Sequence, residues 1–181
     1  MIKDFSVTPK QSNKNSRIVM SAFFVLALVS VIVAIFIEKY RGVVGLVTLA
    51  SLTTAILIYT KYVSVTFHYD IAVDGMEEPL FVVRQTVGKR NVTLCRVPFA
   101  DIVKIEKETA KERRAHKSPE RVARYVYAPT LSPAVSHRIY VHSRYEKAEI
   151  IVEISDELCD MLLSVAAEAR AMRAVTDDDE D

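Results

Sequence analysis

Glycine, cysteine and tryptophan are scarce in this chain of 181 residues, which contains four, two and none of them. Four dispersed glycines form no glycine-rich loop, which excludes the phosphate-binding loops of nucleotide-binding proteins. Two isolated cysteines exclude a disulfide scaffold and give no metal-ligand spacing. A composition that is 50% hydrophobic and 26% charged also excludes an intrinsically disordered or a collagen-like chain.

Two long runs near the N-terminus carry no charged residue at all. The first comprises 20 residues, Ile18–Ile37, and the second comprises 19, Gly42–Thr60. A helix needs about 20 residues to cross a hydrocarbon core of ~30 Å, so each run is long enough to span a bilayer. The hinge at 38–41 holds only a turn, so residues 18–61 are predicted to form a two-helix transmembrane hairpin.

A cleaved signal peptide is the alternative interpretation of the first run, because basic residues precede it. The apolar part of a signal peptide has ~7–15 residues and ends in small residues. This run is longer and ends with Phe36 and Ile37 before Glu38. A second run follows at once, which favours two membrane anchors.

Basic residues flank the hairpin unevenly. Residues 1–17 contain four of them and Lys61 follows the second run, whereas the hinge has only Lys39 and Arg41. Because basic residues favour the cytoplasmic side, residues 1–17 are predicted to be a cytoplasmic tail. The chain is therefore predicted to be a multi-pass protein of the cell membrane, plasma or inner, with both termini in the cytoplasm.

From residue 62 onward the hydrophobic pattern alternates with a period of two, which is typical of strands. Seven strands are predicted, at 62–73, 80–87, 91–97, 102–108, 122–127, 138–142 and 149–154. In the last strand Ile150, Val152 and Ile154 are predicted to face the core, with Glu149 and Glu153 facing out.

A helical pattern follows the seventh strand, with Ser155 as its N-cap. One apolar stripe is predicted to close the sheet; it consists of Leu158, Met161, Leu162, Val165, Ala169 and Met172. Strands followed by one helix predict an antiparallel α+β domain over 62–173. The five acidic residues in 174–181 predict a disordered tail.

This order of elements resembles a pleckstrin-homology-like (PH-like) domain, and its position behind a hairpin resembles the bacterial PH-like membrane proteins. The resemblance rests on the Pro98–Ile102 junction and on the closing strand-to-helix segment Ile150–Met172. It implies a membrane α-helical hairpin plus an α+β PH-like domain. That domain would be a seven-stranded antiparallel bent sheet or barrel capped by one C-terminal helix. Members of this group are mostly of unknown function, so the resemblance implies a fold rather than an activity.

The residue types that carry catalysis or bind metals form no recognisable set. His68 and Asp70 share a strand face without a third ligand, and His137 and His142 fall on opposite faces. Cysteines in such positions are more often buried structural thiols than nucleophiles. The sequence therefore predicts no catalytic, cofactor or metal site, and a protein that is not an enzyme.

One polar segment, 111–124, has six basic residues against two acidic ones. The basic residues are Lys111, Arg113, Arg114, Lys117, Arg121 and Arg124. Basic residues near a membrane attract anionic headgroups, so contact with such headgroups or with an acidic partner is one interpretation. A solvated loop without a partner is the other. The segment lacks the interleaved aromatics of a nucleic-acid platform, and no nucleic-acid partner is predicted.

Two functions follow from this organisation. The first is a membrane-anchored, non-catalytic interaction module on the cytoplasmic face, which binds a protein or peptide partner or the anionic membrane surface. Sheets of this type bind peptides along a strand or beside the terminal helix. The second is an auxiliary subunit of a larger membrane complex for transport or assembly, with the hairpin as its interface.

Overall fold

The fold was analysed in a computed structural model, which describes residues 5–9, 14–73, 79–117, 122–143 and 146–178. These residues form two compact units. One contains the helices of residues 14–65, and the other contains the N-terminal strand together with residues 66–178. The architecture is a helical hairpin followed by an α+β domain, as the sequence predicts in outline.

The hairpin consists of α1, Lys14–Phe36, and α2, Arg41–Ile58, joined by the 3-10 turn Glu38–Tyr40. A π-helical turn, Tyr59–Val63, continues the second helix. Both helices are long and apolar enough to cross a membrane, with mean hydropathies of 3.0 and 2.0.

Small side chains line the contact between α1 and α2. Ala27 and Ser30 of α1 are buried, as are Ser51 and Ala55 of α2. Small residues at such a spacing allow two helix backbones to approach closely. The Ser30 hydroxyl donates a hydrogen bond to the carbonyl of Leu26 at 2.8 Å, so its burial leaves no unpaired hydroxyl.

The first sheet has the strand order β1-β2-β3-β4. Its strands are β1, Phe5–Val7; β2, Val65–Val73; β3, Pro79–Val87; and β4, Arg90–Pro98. The predicted turn between β3 and β4 is present, and Gly88 supplies its positive φ of 62°. The strand β1 corrects the prediction that residues 1–17 are only a tail, because Ser6 pairs with Asp70 of β2.

The second sheet has the strand order β5-β7-β8-β6. Its strands are β5, Ile102–Thr109; β6, Ala123–Val126; β7, Val135–His142; and β8, Lys147–Val152. The strands β6 and β8 run parallel. The prediction of seven strands in a wholly antiparallel sheet is therefore wrong in two respects: the described chain has eight strands, and one pair is parallel.

The last helix, α4, spans Asp156–Asp178 and packs against β5 and the 3-10 turn Phe99–Asp101. Four positions of the predicted stripe are buried, Leu158, Leu162, Val165 and Ala169. The other two predicted core positions, Met161 and Met172, are exposed.

The helix α4 also corrects the predicted tail boundary. Residues 174–178 were expected to be disordered but belong to the helix, while 179–181 lie outside the described residues. No glycine or proline interrupts the sequence after Ser155, so nothing stops the helix where the acidic run begins.

Three aromatic side chains pack beside one another in the core of the sheet domain. Tyr69, Phe81 and Phe99 are buried, with neighbouring ring centroids 6.3 Å apart. The Tyr69 hydroxyl donates to the carbonyl of Tyr127 at 2.7 Å and accepts from the Glu153 amide at 3.2 Å. One side chain of the first sheet thus satisfies two backbone groups next to the second.

Candidate functional site

The basic segment begins as a helix rather than as the predicted loop. The helix α3 spans Ala110–Ala115 and starts with a capping box. The Thr109 amide donates to the Glu112 carboxylate at 2.8 Å, and the Glu112 amide donates to the Thr109 hydroxyl at 3.4 Å. The Thr109 hydroxyl also donates to this carboxylate at 2.9 Å, and the two bonds that Thr109 donates to it lower the pKa of Glu112 below its ordinary value. The Thr-x-x-Glu pattern of the sequence is the signal for this helix start.

Arg113 fastens α3 to the second sheet and is not a surface cation. Its Nη1 donates to the hydroxyl of Ser136 at 2.6 Å, and its Nη2 donates to the carbonyl of Pro133 at 2.9 Å. Ser136 is fully buried at the start of β7. Of the six predicted contact residues, Arg113 therefore has a structural partner of its own.

The other basic residues of the segment differ in position. Lys111, Arg114 and Lys117 are exposed on and just after α3, and Arg124 is exposed on β6. Within the described ranges none of these four side chains forms an ion pair. Arg121 lies outside the described residues. The structure thus presents at least four cationic side chains to solvent along this segment.

Near α3 the second sheet carries a buried ion cluster that the sequence did not reveal. Arg138 of β7 is 0% exposed, and its guanidinium donates to both oxygens of Glu108 and to one of Glu149. Burial alone would lower the pKa of Arg138. The hydrogen bonds to Glu108 and Glu149 and the negative charges of these two residues outweigh burial, so the pKa of Arg138 is raised. Glu149, which is 1% exposed, was expected to face solvent, and that expectation is wrong.

The C-terminal end of α3 also contacts this cluster. His116 Nε2 lies 3.3 Å from a carboxylate oxygen of Glu149. Together with the bonds of Arg113, this contact holds the C-terminal half of α3 against the second sheet. Strand alternation places polar side chains on this face of the second sheet. The helix α3 covers part of the face, so charged residues there are buried.

A cleft of about 550 Å³ opens beside the cluster. The residues that line it are Glu106, Lys107, Glu108, Glu112, Ala115 and His116. Its glutamates have partners of their own: Glu106 accepts from Lys104 and Tyr140, and Glu108 accepts from Arg138. Two of the cleft's glutamates, Glu106 and Glu108, are therefore already paired with donors of the protein.

His68 and His137 have polar neighbours of their own. His68 Nδ1 forms a hydrogen bond with the Thr8 hydroxyl at 2.8 Å, and His137 Nε2 lies 3.5 Å from a carboxylate oxygen of Asp156. Burial raises the pKa of Cys95 to about 11, so its thiol stays protonated and is a poor nucleophile. Among the residues that the structure describes, no three His, Cys, Asp or Glu side chains could hold a metal ion.

Comparisons with protein-family models, with curated proteins and with solved structures found no match to this chain.

Proposed function

We propose that the chain is a membrane-anchored, non-catalytic interaction module of the cell membrane. The hairpin holds a PH-like domain at the cytoplasmic face, and this domain binds a protein or peptide partner or the anionic membrane surface. The observation that carries the proposal is the apolar surface of the hairpin. Phe36 is 80% and Leu46 69% exposed, and a surface of this kind needs lipid or another apolar partner.

The pairing of β1 with β2 supports a hairpin that crosses the membrane twice. The strand β1 precedes α1 in the chain and β2 follows α2, yet Phe5–Val7 pairs with Tyr69–Ile71. Two strands that share a sheet lie on one side of a membrane, so the number of spans between them is even. The basic residues outside the hinge favour the cytoplasmic side.

The PH-like assignment is supported by the order of the elements. Seven of the strands occur in the predicted sequence order, and α4 packs at their end against β5 and the turn Phe99–Asp101. The additional strand β1 and the parallel pair of β6 and β8 are departures from that plan.

The cationic side chains of the segment favour a partner that is anionic. Lys111, Arg114, Lys117 and Arg124 are exposed. Each basic residue near an anionic surface contributes about 1 kcal/mol of attraction. A domain that is tethered by a hairpin meets that surface at high effective concentration, so weak contacts of this size suffice.

Copurification of the full chain after mild detergent extraction tests the proposal. A variant with Lys111, Arg114 and Lys117 changed to Glu should lose an acidic protein partner that the parent chain retains. A control with Lys89→Glu in the turn before β4 and Arg90→Glu at the first residue of β4 should retain it. A partner retained equally by both variants and by residues 1–65 alone would favour the second function, an auxiliary subunit with the hairpin as its interface.

The lipid alternative is tested in the same variants. The full chain is placed in nanodiscs that contain 30% phosphatidylserine or none, and amide exchange of residues 110–117 is compared. Protection that depends on phosphatidylserine, falls with salt and is lost in the charge-reversed variant supports headgroup contact. Equal exchange in both lipids, together with no lost partner, would refute a role for the basic segment.

A further inference from the structure

A second polar site lies on the first sheet, on the face opposite its aromatic core. Four strands contribute to a cavity of about 150 Å³ that is lined by Ser6, His68, Asp70, Arg84, Thr86 and Asn91. None of these six side chains is apolar. The cavity has the volume of about five water molecules at ~30 Å³ each, so it suits a small ligand.

Asp70 is the unusual member of this set. It is 2% exposed in the middle of β2, a position where Asp is disfavoured. One carboxylate oxygen accepts from Arg84 Nε, whereas the other, Oδ1, is buried and has no hydrogen-bond partner. Buried carboxylate oxygens are normally paired, so Oδ1 marks a place for a hydrogen-bond donor that the described residues do not supply.

Hydrogen-bond donors face the same cavity. Arg84 is 49% exposed and uses only Nε on Asp70, which leaves both terminal nitrogens for an anion. Asn91 uses its carbonyl oxygen to accept from Thr86 at 2.7 Å, which leaves its amide N–H groups to donate. The residues around the cavity thus include one buried, unpaired carboxylate oxygen, Asp70 Oδ1, and several unused donors.

We propose that this cavity binds a small zwitterion in which a primary ammonium lies next to a carboxylate or a phosphate. The ammonium donates to Asp70 Oδ1, and the oxyanion accepts from the terminal nitrogens of Arg84 and from Asn91. Arg84 lies against the Asp70 carboxylate and is half exposed. When its side chain rotates towards the oxyanion of the ligand, Asp70 Oδ1 becomes accessible to the ammonium. A free amino acid, an aminoalkyl phosphate and the ethanolamine headgroup of a lipid share this chemistry.

The N-terminal strand is part of the site. Ser6 of β1 lines the cavity, and Thr8 holds the His68 ring by a hydrogen bond of 2.8 Å. The strand β1 has three residues and one neighbour in the sheet, so it is held weakly. An occupied cavity therefore stabilises the pairing of β1 with β2.

The test uses the full chain in nanodiscs of phosphatidylcholine, whose headgroup has no N–H donor. Binding of glycine and of O-phosphoethanolamine is measured by calorimetry, with phosphocholine and acetate as controls that lack an N–H donor. Saturable binding of either zwitterion, with neither control bound, is the expected result. Amide exchange of residues 5–8 and 66–73 should slow when the zwitterion is present.

Variants then assign the binding to the cavity. Asp70→Asn removes the negative charge that pairs with the ammonium, and Arg84→Gln removes the guanidinium that binds the oxyanion, so each should weaken binding about tenfold or more. Arg96→Gln on β4, outside the cavity, should leave it unchanged. Asn91→Ala, at an exposed position, gives the same test should Asp70→Asn fail to fold.

Adding phosphatidylethanolamine to the nanodiscs shows whether the bound zwitterion is a lipid headgroup or a free molecule. Reduced binding of free O-phosphoethanolamine then indicates the lipid headgroup, and unchanged binding indicates a free molecule. Phosphocholine that binds as well as O-phosphoethanolamine, an Asp70→Asn variant that binds normally, or no saturable binding below about 10 mM would overturn the proposal.

Discussion

The buried charges of the second sheet show how single residues depend on their partners. Among the described residues, Arg138 is the only cation within hydrogen-bonding distance of the Glu108 carboxylate. It also forms an ion pair with one carboxylate oxygen of Glu149. A buried ion pair contributes little net stability compared with an apolar replacement, but breaking it leaves a charge without a partner.

Arg138→Leu is therefore expected to lower the free energy of unfolding by about 3–5 kcal/mol. Urea unfolding of the detergent-solubilised chain, followed by circular dichroism, measures this change. Arg96→Leu, at an exposed position, is the matched control and should change stability by about 0.5 kcal/mol or less. An equal, small effect of both substitutions would contradict the buried cluster.

His137 gives stability a pH dependence of a defined sign. Burial lowers its pKa, and the charge of Asp156 offsets this only in part. In the unfolded chain a histidine takes up its proton near pH 6.5, whereas in the folded chain it does so at a lower pH. The unfolded state thus binds more protons in this window, so the free energy of unfolding falls as the pH drops below about 6.5.

His137→Gln should flatten this dependence between pH 7 and 5.5, and His142→Gln, at an exposed position, should not. Unfolding curves of both variants and of the parent chain at a series of pH values measure the difference. Identical slopes for the parent chain and His137→Gln would show that His137 does not carry the effect.

Burial of individual polar residues was the least predictable property of this chain. Glu149 does face away from the core side of its strand, as its alternation with Ile150 predicts. It is nevertheless buried, because α3 lies over that face and His116 reaches it. The periodicity of a strand shows to which face of the sheet a side chain points. Whether that side chain is buried depends on which other elements cover the face, and the pattern of one strand does not show this.

At the scale of elements, α4 stabilises the sheet-containing unit through one face of the helix. Leu162 is fully buried, and Arg170 is exposed on the same helix. Leu162→Ala should lower the free energy of unfolding by about 2–5 kcal/mol. Leu162→Asp should be worse, because its charge would be buried without a partner.

Arg170→Asp is the matched control for the packed face and should have little effect on stability. The measurement is the urea midpoint of each variant of the full chain. Equal tolerance of Asp at positions 162 and 170 would contradict the packing of α4.

Elements with a long periodic pattern were predictable, and short ones were not. The hairpin and seven strands follow from charge-free runs and from alternation. The strand β1 has three residues, too few for a pattern, and its partner lies some sixty positions away. The helix α3 has six residues and depends on its capping box and on Arg113. The candidate basic residues were found from charge alone, whereas the cavity on the first sheet needs the register of four strands.

At the scale of the whole molecule, the chain leaves its first sheet after β1 and returns to it at β2. Everything between these two strands is the hairpin with its flanking residues. This connectivity makes the hairpin an insertion between two paired strands. The proposed function requires that the hairpin hinge and the sheet domain lie on opposite sides of the membrane.

Labelling with a membrane-impermeant maleimide in intact cells tests this claim most directly. In a chain whose Cys95 and Cys159 are replaced by Ala, single cysteines are placed at two exposed positions, Tyr40→Cys in the hinge and Ser132→Cys in the domain. The account predicts that Tyr40→Cys reacts in intact cells and that Ser132→Cys reacts only after the cells are permeabilised. Labelling of Ser132→Cys in intact cells, with Tyr40→Cys protected until permeabilisation, would contradict a domain held at the cytoplasmic face.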